Sequence, residues 1–585
     1  MPSLRHAVPL AALLIAAVAT AAAAAAPAKT TVAAEARPGA STAEIDGPSG
    51  FARLAPGTRR ILITFADVPR RAGAERRLDG LGPVVPALPE AGIWSLAPSE
   101  PATAREGALR RPGVVAAEWS LAREIAELPR PPPPLTPGPP PVFSDPLLTS
   151  GRQWSLTPGG ATWGTDITVT GPRPRIAILD TGVDGTHEEW AGPDAPLVAP
   201  RSTVRRDNDA TDWGLTGHGT HVAGIAAAPA NGVGVVGVAP SGGAAQVVPV
   251  QIADREGRSS DETMIRGIRH AVVNGAKVIN ISAGGDGYSR AFQDTVLWAT
   301  QRGALIVASV GNEGDGENAL NYPAAYPRVL GVGAQCDGQT SPDCPRPYGV
   351  AEFSNHNRTV DVIAPGVDIV SSVPKRISDR LVQPGYALKD GTSMSAPYVS
   401  GVAALVMAAN PGGLSAWQVL RQLENTATDI GPRGRDPETG SGVVNPRAAV
   451  TLRAPADDPD EVNDDVKWAG GTDKRLAQRG SFSLEASVDR NDDPDDVFAV
   501  NLRRGERLQV SLKYRRGQIG LYLWRPGTPT VTAGQARRAD LLRYRQGAAS
   551  SKSISYRAER TGRHYVDVFA LNGDGLYTLT ITRRR

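Results

Sequence analysis

The chain has 585 residues, too many for one hydrophobic core, so two or more domains are expected. Its formal charge is only +3, and no basic stripe with interleaved aromatics appears, so nucleic acid is excluded as an expected partner. The 50 prolines point to linkers and long loops.

Residues 1–26 read as a signal peptide. Arg5 and His6 form a short polar start, residues 8–18 an apolar centre, and residues 19–26 a small-residue end suited to cleavage near Ala26. No second stretch approaches membrane length and no lipidation or anchor motif is present, so the expectation is a secreted, extracellular protein without a stable membrane anchor. After an Ala-rich spacer, residues 60–65 read as a strand and 71–78 as a charged helix. Two short apolar runs follow (84–85 and 93–96), then a helix over 102–110 and a strand over 114–119. That β-α-β-β-α-β order suits a small split βαβ sandwich spanning about residues 58–120 of a 27–128 module. Residues 129–142 form a proline-rich linker, extended in character, that separates domains.

From Arg175 short apolar strands alternate with helical segments. Strands are expected at 175–180, 247–251, 278–282 and 304–309, with helices over 218–228, 261–274 and 288–302 between them. Such alternation implies a parallel sheet covered on both faces, with functional residues at the C-terminal ends of its strands. Cys336 and Cys344 enclose the turn-rich loop Asp337-Gly338-Gln339-Thr340-Ser341-Pro342-Asp343, which an oxidising compartment readily bridges. The stretch Gly391-Thr392-Ser393-Met394-Ser395-Ala396-Pro397 opens a helix that is apolar nearly all round. Pro397 is read as part of its first turn, where N–H groups have no intrahelical partner. Beyond 453 the texture changes to short alternating runs at 481–484, 497–502, 507–512, 564–568 and 576–581, the pattern of an all-β sandwich.

Four places carry chemistry. Asp180 ends a strand, and His218 opens a helix in Gly217-His218-Gly219-Thr220-His221. Asn312 follows the strand that ends at Ser309, and Ser393 sits on the apolar helix. A serine hydroxyl attacks a carbonyl only if an imidazole takes its proton, and that imidazole needs a carboxylate to fix its tautomer. His221, three positions from His218, is read as a packing residue and not half of a metal pair. His187 and Asp184 are assigned to the loop after the Asp180 strand.

On these motifs the chain resembles the subtilases, the subtilisin-like serine endopeptidases, over roughly residues 143–452. The resemblance implies Ser393 as nucleophile, His218 as general acid and base, Asp180 as its orienter and Asn312 as the oxyanion side chain. It implies that Ser282-Ala283-Gly284 and Ser309-Val310-Gly311 wall the pocket for the residue before the cleaved bond, with Asn321 narrowing its floor. Polypeptide substrates with broad side-chain tolerance are expected, bound as an added strand. No cofactor is expected for catalysis. A structural Ca²⁺ is implied at Asp145, Glu189 and Asn231, whose oxygens suit that ion. Residues 27–128 resemble the family's propeptide, a folding aid and intramolecular inhibitor. Residues 453–585 resemble the prepeptidase-type β-domain of secreted peptidases. The expected fold is thus α/β, a parallel-sheet catalytic domain between a small α+β module and an all-β sandwich, in a monomer. The competing reading is a secreted binding protein on the same scaffold; the presence of Asp180, His218, Asn312 and Ser393 together weighs against it.

Overall fold

The computed structural model describes residues 60–125, 143–156, 173–191, 197–240, 245–314, 316–457, 461–469, 480–533 and 535–584. The expected signal peptide and proline-rich linker lie outside them. The N-terminal module contains β1 (Ile61–Phe65), α1 (Arg71–Arg77), β2 (Val84–Leu88), β3 (Ile93–Leu96), α2 (Pro101–Leu109) and β4 (Val114–Trp119). Its strands lie in the order β2-β3-β1-β4, every neighbour antiparallel. Every residue of β1 is buried because the strand has no solvent face. Ile61, Ile63 and Phe65 pack on the module's own helices, while Leu62 turns to the neighbouring domain. A short strand, β5 (Ala122–Glu124), then leaves the module and pairs elsewhere.

The central domain begins with a one-turn helix, α3 (Pro146–Thr149), and continues through β6 (Arg175–Asp180), β7 (Arg201–Ser202), α4 (His218–Ala227) and β8 (Gln246–Gln251). There follow β9 (Arg258–Ser260), α5 (Asp261–Val273), β10 (Ala276–Ile281), α6 (Arg290–Gln301), β11 (Leu305–Ser309), β12 (Val329–Gln335) and β13 (Val362–Pro365). Seven of these strands form a parallel sheet in the order β13-β12-β11-β10-β6-β8-β7. A small antiparallel sheet of β14 (Ile369–Ser372), β15 (Leu381–Gln383) and β16 (Tyr386–Lys389) precedes α7 (Thr392–Ala409), α8 (Ala416–Thr426) and α9 (Pro446–Thr451).

Alternation along each strand divides the two cores. Ile176 and Ile178 face α4, α7, α8 and α9, whereas Ala177 and Leu179 face α5 and α6. Both faces are covered, which is why these strands read as continuous apolar runs. Against the expectation that no second stretch approaches membrane length, helix α7 is long and apolar enough to cross a membrane, but 89% of it is buried inside the protein, so it is a core helix. Helix α6 starts later than the periodicity predicts because the Ser289 hydroxyl caps it, accepting from the Phe292 N–H at 3.2 Å.

The C-terminal domain contains β17 (Ser481–Asp489), β18 (Asp495–Leu502), β19 (Arg507–Tyr514), β20 (Gln518–Trp524), β21 (Leu541–Arg545), β22 (Ser551–Arg557), β23 (Gly562–Asn572) and β24 (Asp574–Arg584). They form two antiparallel sheets, β17-β24-β19-β22 and β18-β23-β20-β21, with one apolar core between them. Strands β20, β21 and β22 are absent from the sequence expectation. In β22 every second residue is exposed, and its inward side chains include Lys552, so its hydrophobic signal is weak. Arg328 joins this domain to the central one. Its buried guanidinium lies 2.6 Å from Glu461, 3.0 Å from Asp464 and 2.5 Å from Asp493, over the Trp417 ring.

Candidate active site

The parallel sheet brings the C-terminal ends of β6, β10 and β11 to one edge, and the N-termini of α4 and α7 meet them there. Asp180 is the last residue of β6 and His218 the first of α4. Asp180 Oδ1 lies 2.8 Å from His218 Nδ1, and neither side chain is exposed. A carboxylate there holds the proton on Nδ1 and leaves the lone pair on Nε2. The approach depends on Gly219, because a Cβ at that position would sit 2.1 Å from the carbonyl oxygen of Gly182. Asp212, which the sequence reading passed over, ties the two elements together. Its carboxylate accepts from the hydroxyls of Thr181 (2.9 Å) and Thr220 (2.7 Å) and from the N–H groups of Gly214 (2.9 Å) and Thr220 (3.0 Å). Burial pushes its pKa up, against the pull of those hydrogen bonds.

His221 stands apart from this pair. Its Nε2 is within hydrogen-bond distance of the carbonyls of Ile369 (3.0 Å) and Ala387 (3.1 Å), so it packs α4 onto the small sheet. Burial holds its pKa well below the ordinary histidine value. His187 also meets a carbonyl, that of Gly385, at 2.9 Å.

Ser393 is the second residue of α7, behind Gly391, whose φ of 140° disfavours a side chain. Pro397 lies one turn deeper than the sequence reading places it, inside the helix. Having no N–H, it leaves the carbonyl of Ser393 without its i+4 donor. The Ser282 hydroxyl donates to that carbonyl at 2.9 Å. Ser282 is itself held by Asn280 Nδ2 (3.0 Å), and Asn280 Oδ1 accepts from the Ser400 hydroxyl (3.0 Å). The Ser393 hydroxyl donates to the carbonyl of Ser282 at 3.3 Å. The proline therefore creates an acceptor through which the end of β10 grips the helix that carries Ser393.

Asn312, just beyond β11, faces the same helix start. Its Oδ1 accepts from both the N–H and the hydroxyl of Thr392, each at 2.9 Å. That fixes the amide so that Nδ2, the donor end, lies beside Gly391. Ser282, Ala283 and Gly284 continue from β10, and Ser309, Val310 and Gly311 from β11. Asn321 bridges the two walls. Its Nδ2 donates to the carbonyl of Ser309 at 3.0 Å, and a Cβ on Gly284 would lie 2.3 Å from its amide.

The groove is filled by the chain itself. Strand β5 runs antiparallel to β9, with Ala122, Arg123 and Glu124 opposite Ser260, Ser259 and Arg258. On its other edge Glu124 and Gly284 exchange two N–H to carbonyl bonds of 2.9 Å. Upstream, Glu118 caps α6. Its carboxylate accepts from the Ser289 hydroxyl (2.7 Å) and from the N–H groups of Arg290 (3.1 Å) and Ala291 (2.7 Å). The Ser120 hydroxyl accepts from the Glu262 N–H at the start of α5 at 3.0 Å.

Asp145, Glu189 and Asn231 converge at a separate place. Asp145 Oδ1 accepts from the N–H groups of Asn231 (3.2 Å) and Gly232 (3.1 Å), and Glu189 Oε1 from that of Val235 (2.7 Å). Asn231 Nδ2 donates to the Glu189 carbonyl at 3.4 Å. Asp145 Oδ2 and Glu189 Oε2 are buried without a protein partner. Burial pushes Glu189 up to about 8. Elsewhere Cys336 and Cys344 form a disulfide with S–S 2.08 Å.

A family model described as the Subtilase family matches residues 171–442. The chain is 36% identical over 282 residues to Subtilisin BL of Lederbergia lenta, covering 48% of this chain and 92% of that protein. It is 36% identical over 322 residues to Fervidolysin of Fervidobacterium pennivorans, covering 52% of this chain and 44% of that protein. The crystal structure of fervidolysin, a keratinolytic enzyme related to subtilisin, superposes with a TM-score of 0.58 over 86% of each chain at 22% identity, a likeness of fold.

Proposed function

This chain belongs to the subtilase family and is a subtilisin-type serine endopeptidase acting on polypeptides; on that premise we propose that it is exported as a zymogen whose N-terminal module blocks the groove until Ser393 cuts the join. The proposal rests on one observation above the others: β5 lies in the groove as an added strand, bonded to both β9 and Gly284.

The Asp180–His218 pair and the Asn312–Thr392 contacts support the following chemistry. Ser393 Oγ attacks the carbonyl carbon of the bound peptide while His218 Nε2 takes its proton, and Asp180 stabilises the imidazolium through Nδ1. The oxyanion of the tetrahedral intermediate accepts from Asn312 Nδ2 and from the N–H of Ser393 at the positive end of α7. Collapse breaks the C–N bond, and His218 returns the proton to the departing amine. The remaining acyl ester on Ser393 is hydrolysed by water, with His218 again as base and then as acid.

Glu118 and Ser120 support the folding role of the module, since they satisfy helix N–H groups of α6 and α5 that a partly folded catalytic domain leaves open. The alanine-rich start of the chain supports export, an oxidising compartment suits the disulfide, and a monomer suffices for the chemistry. Asp145 and Glu189 fit a calcium ion, because each has a carboxylate oxygen buried without a hydrogen bond, although the Tyr386 hydroxyl also lies by Glu189 and Asn231 Oδ1 accepts from the Val233 N–H at 2.9 Å. The ion would neutralise those charges and tie α3 to the loop after α4, with no part in peptide-bond chemistry. The C-terminal sandwich is docked through Arg328 and takes no part in these steps.

The test compares intact masses of the secreted wild type and Ser393→Ala. The wild type should lose at least the residues up to 125 and cleave casein, while Ser393→Ala keeps them and does not. A wild type that stays full-length after signal removal and leaves casein intact overturns the reading.

A further inference from the structure

Arg123, in the middle of the strand that fills the groove, is among the largest fully buried side chains in the protein, with its side chain 0% exposed. A buried arginine needs most of its five donors met. Arg123 Nε donates to Asp261 Oδ1 at 2.8 Å, and Nη1 to the carbonyls of Gly285 (2.6 Å) and Asp286 (2.8 Å). Nη2 donates to the carbonyl of Gly287 at 3.0 Å. None of these partners comes from the N-terminal module: Asp261 is the first residue of α5, and the three carbonyls belong to the loop between β10 and α6.

The walls of this pocket are held by bonds that do not involve the tail. Gly285 and Tyr322 exchange backbone bonds of 2.9 and 3.1 Å. The Tyr326 hydroxyl accepts from the Ser289 N–H at 2.7 Å and donates to the Ser289 carbonyl at 3.0 Å. Ser260 caps α5 in a reciprocal bond pair with Thr263, which fixes the backbone at Asp261. The tail supplies Asp261 with Arg123 and with the N–H of Leu121. Its departure therefore exposes a carboxylate flanked by three outward carbonyls, a concentration of negative potential that no other cation among the described residues is seen to pair.

Register connects the pocket to the cleaved bond. Glu124 faces Gly284 across an antiparallel pair, so in any polypeptide bound this way the residue two further on faces Ser282. Ser282 is the residue whose carbonyl accepts from Ser393 Oγ. The arginine thus lies three residues before the one at Ser393, the fourth on the acyl side of the bond.

We propose that Asp261 and the carbonyls of Gly285, Asp286 and Gly287 form a cation-selective subsite, through which the mature enzyme favours polypeptides with arginine fourth before the cleaved bond. This deepens the endopeptidase assignment and rests on it. Arginine is preferred over lysine because its planar fork meets four acceptors spread around three nitrogens, where an ammonium offers donors from one point. The subsite sits beside a tolerant pocket walled by small residues, so selection comes from a position remote from the bond that breaks.

The processed wild-type enzyme is assayed on quenched-fluorescent peptides differing only at that fourth position: arginine, lysine, or citrulline, the neutral isostere. Arginine should exceed citrulline in kcat/KM on the order of ten- to a hundred-fold, with lysine between. Asp261→Asn should bring the arginine-to-citrulline ratio close to one. A wild type that cleaves the arginine and citrulline peptides equally overturns the subsite and leaves the peptidase assignment standing. A wild type that cleaves none of the peptides, and no casein, overturns the peptidase assignment itself and the subsite with it. Should Asp261→Asn fail to mature, competition decides. A synthetic peptide of residues 118–125 should inhibit the wild type at least tenfold better than the same peptide with citrulline at 123, and equal inhibition overturns the subsite.

Discussion

Asp180 Oδ1 and His218 Nδ1 meet at 2.8 Å, with both side chains sealed from solvent. In that setting the carboxylate is worth more than an exposed one, because water is kept from the Nδ1 proton. Asp180→Asn presents an amide that can donate to Nδ1 and so favours the wrong tautomer. Turnover should fall by about 10⁴ with little change in KM and an unaltered far-UV spectrum. A loss below tenfold on a soluble peptide would remove Asp180 from the mechanism.

Asn312 and Thr392 act as a unit, since both donors of Thr392 reach the one amide oxygen. Asn312→Ala should lower kcat by about 10²–10³, the cost of losing one oxyanion donor. Thr392→Val deletes the hydroxyl's contacts with Asn312 Oδ1 and the Gly311 carbonyl but keeps the N–H bond to Asn312, and should produce a smaller loss, again in kcat. If the two variants instead raise KM with kcat intact, Asn312 binds the ground state and not the oxyanion.

Glu118 should matter only before processing. Glu118→Ala removes three acceptor contacts from the head of α6 and should reduce the yield of secreted mature enzyme. Each contact to the charged group is worth about 1.5–3 kcal/mol while it lasts. The mature enzyme that does emerge should have the wild-type kcat/KM, because on the zymogen proposal Glu118 leaves with the module. A mature variant with altered kinetics would contradict the zymogen reading.

Chelation tests the place where Asp145, Glu189 and Asn231 converge. A calcium chelator should lower the melting temperature of the wild type by several degrees. The double variant Asp145→Asn, Glu189→Gln should not respond. An unmoved wild-type curve would leave the two buried oxygens to water.

His221 gives a signed dependence on pH. Its buried pKa lies below the unfolded value of about 6.5, so between the two the unfolded chain binds more protons. Its contribution is therefore complete above about pH 6.5 and is lost as pH falls through that window. In a Ser393→Ala background, which prevents self-digestion, the parent should lose about 1.4 kcal/mol per pH unit relative to His221→Gln. Parallel urea midpoints for the two from pH 7.5 to 5 would refute this.

Much of the architecture is legible in the chain because it follows local rules. The unbroken run at β6 announces a strand buried on both faces, and the alternation in β17 and β19 announces a sheet with one wet side. Strand β12, interrupted by Gly331 and Gly333, carries no such signature. A Cβ at Gly331 would lie 2.1 Å from the Thr359 carbonyl oxygen, so the glycine serves a contact its own segment cannot reveal. Asp212 reads as one more polar residue in a loop until Thr181 and Thr220 close on it.

By itself the sequence determined the residue types and their order: Asp180 at a strand end, His218 and Ser393 at helix starts, Asn312 beyond another strand. These are short-range facts of pattern and capping, set by sterics within a few residues. Only the tertiary structure decided who faces whom. Pro397 looked like a helix-opening proline, and the fold made it the reason Ser282 can hold the Ser393 carbonyl. Arg123 and Asp261 lie 138 positions apart, and no local pattern joins them. The antiparallel register of β5 against β9 buries them together, since pairing across strands depends on chain paths that no local pattern encodes.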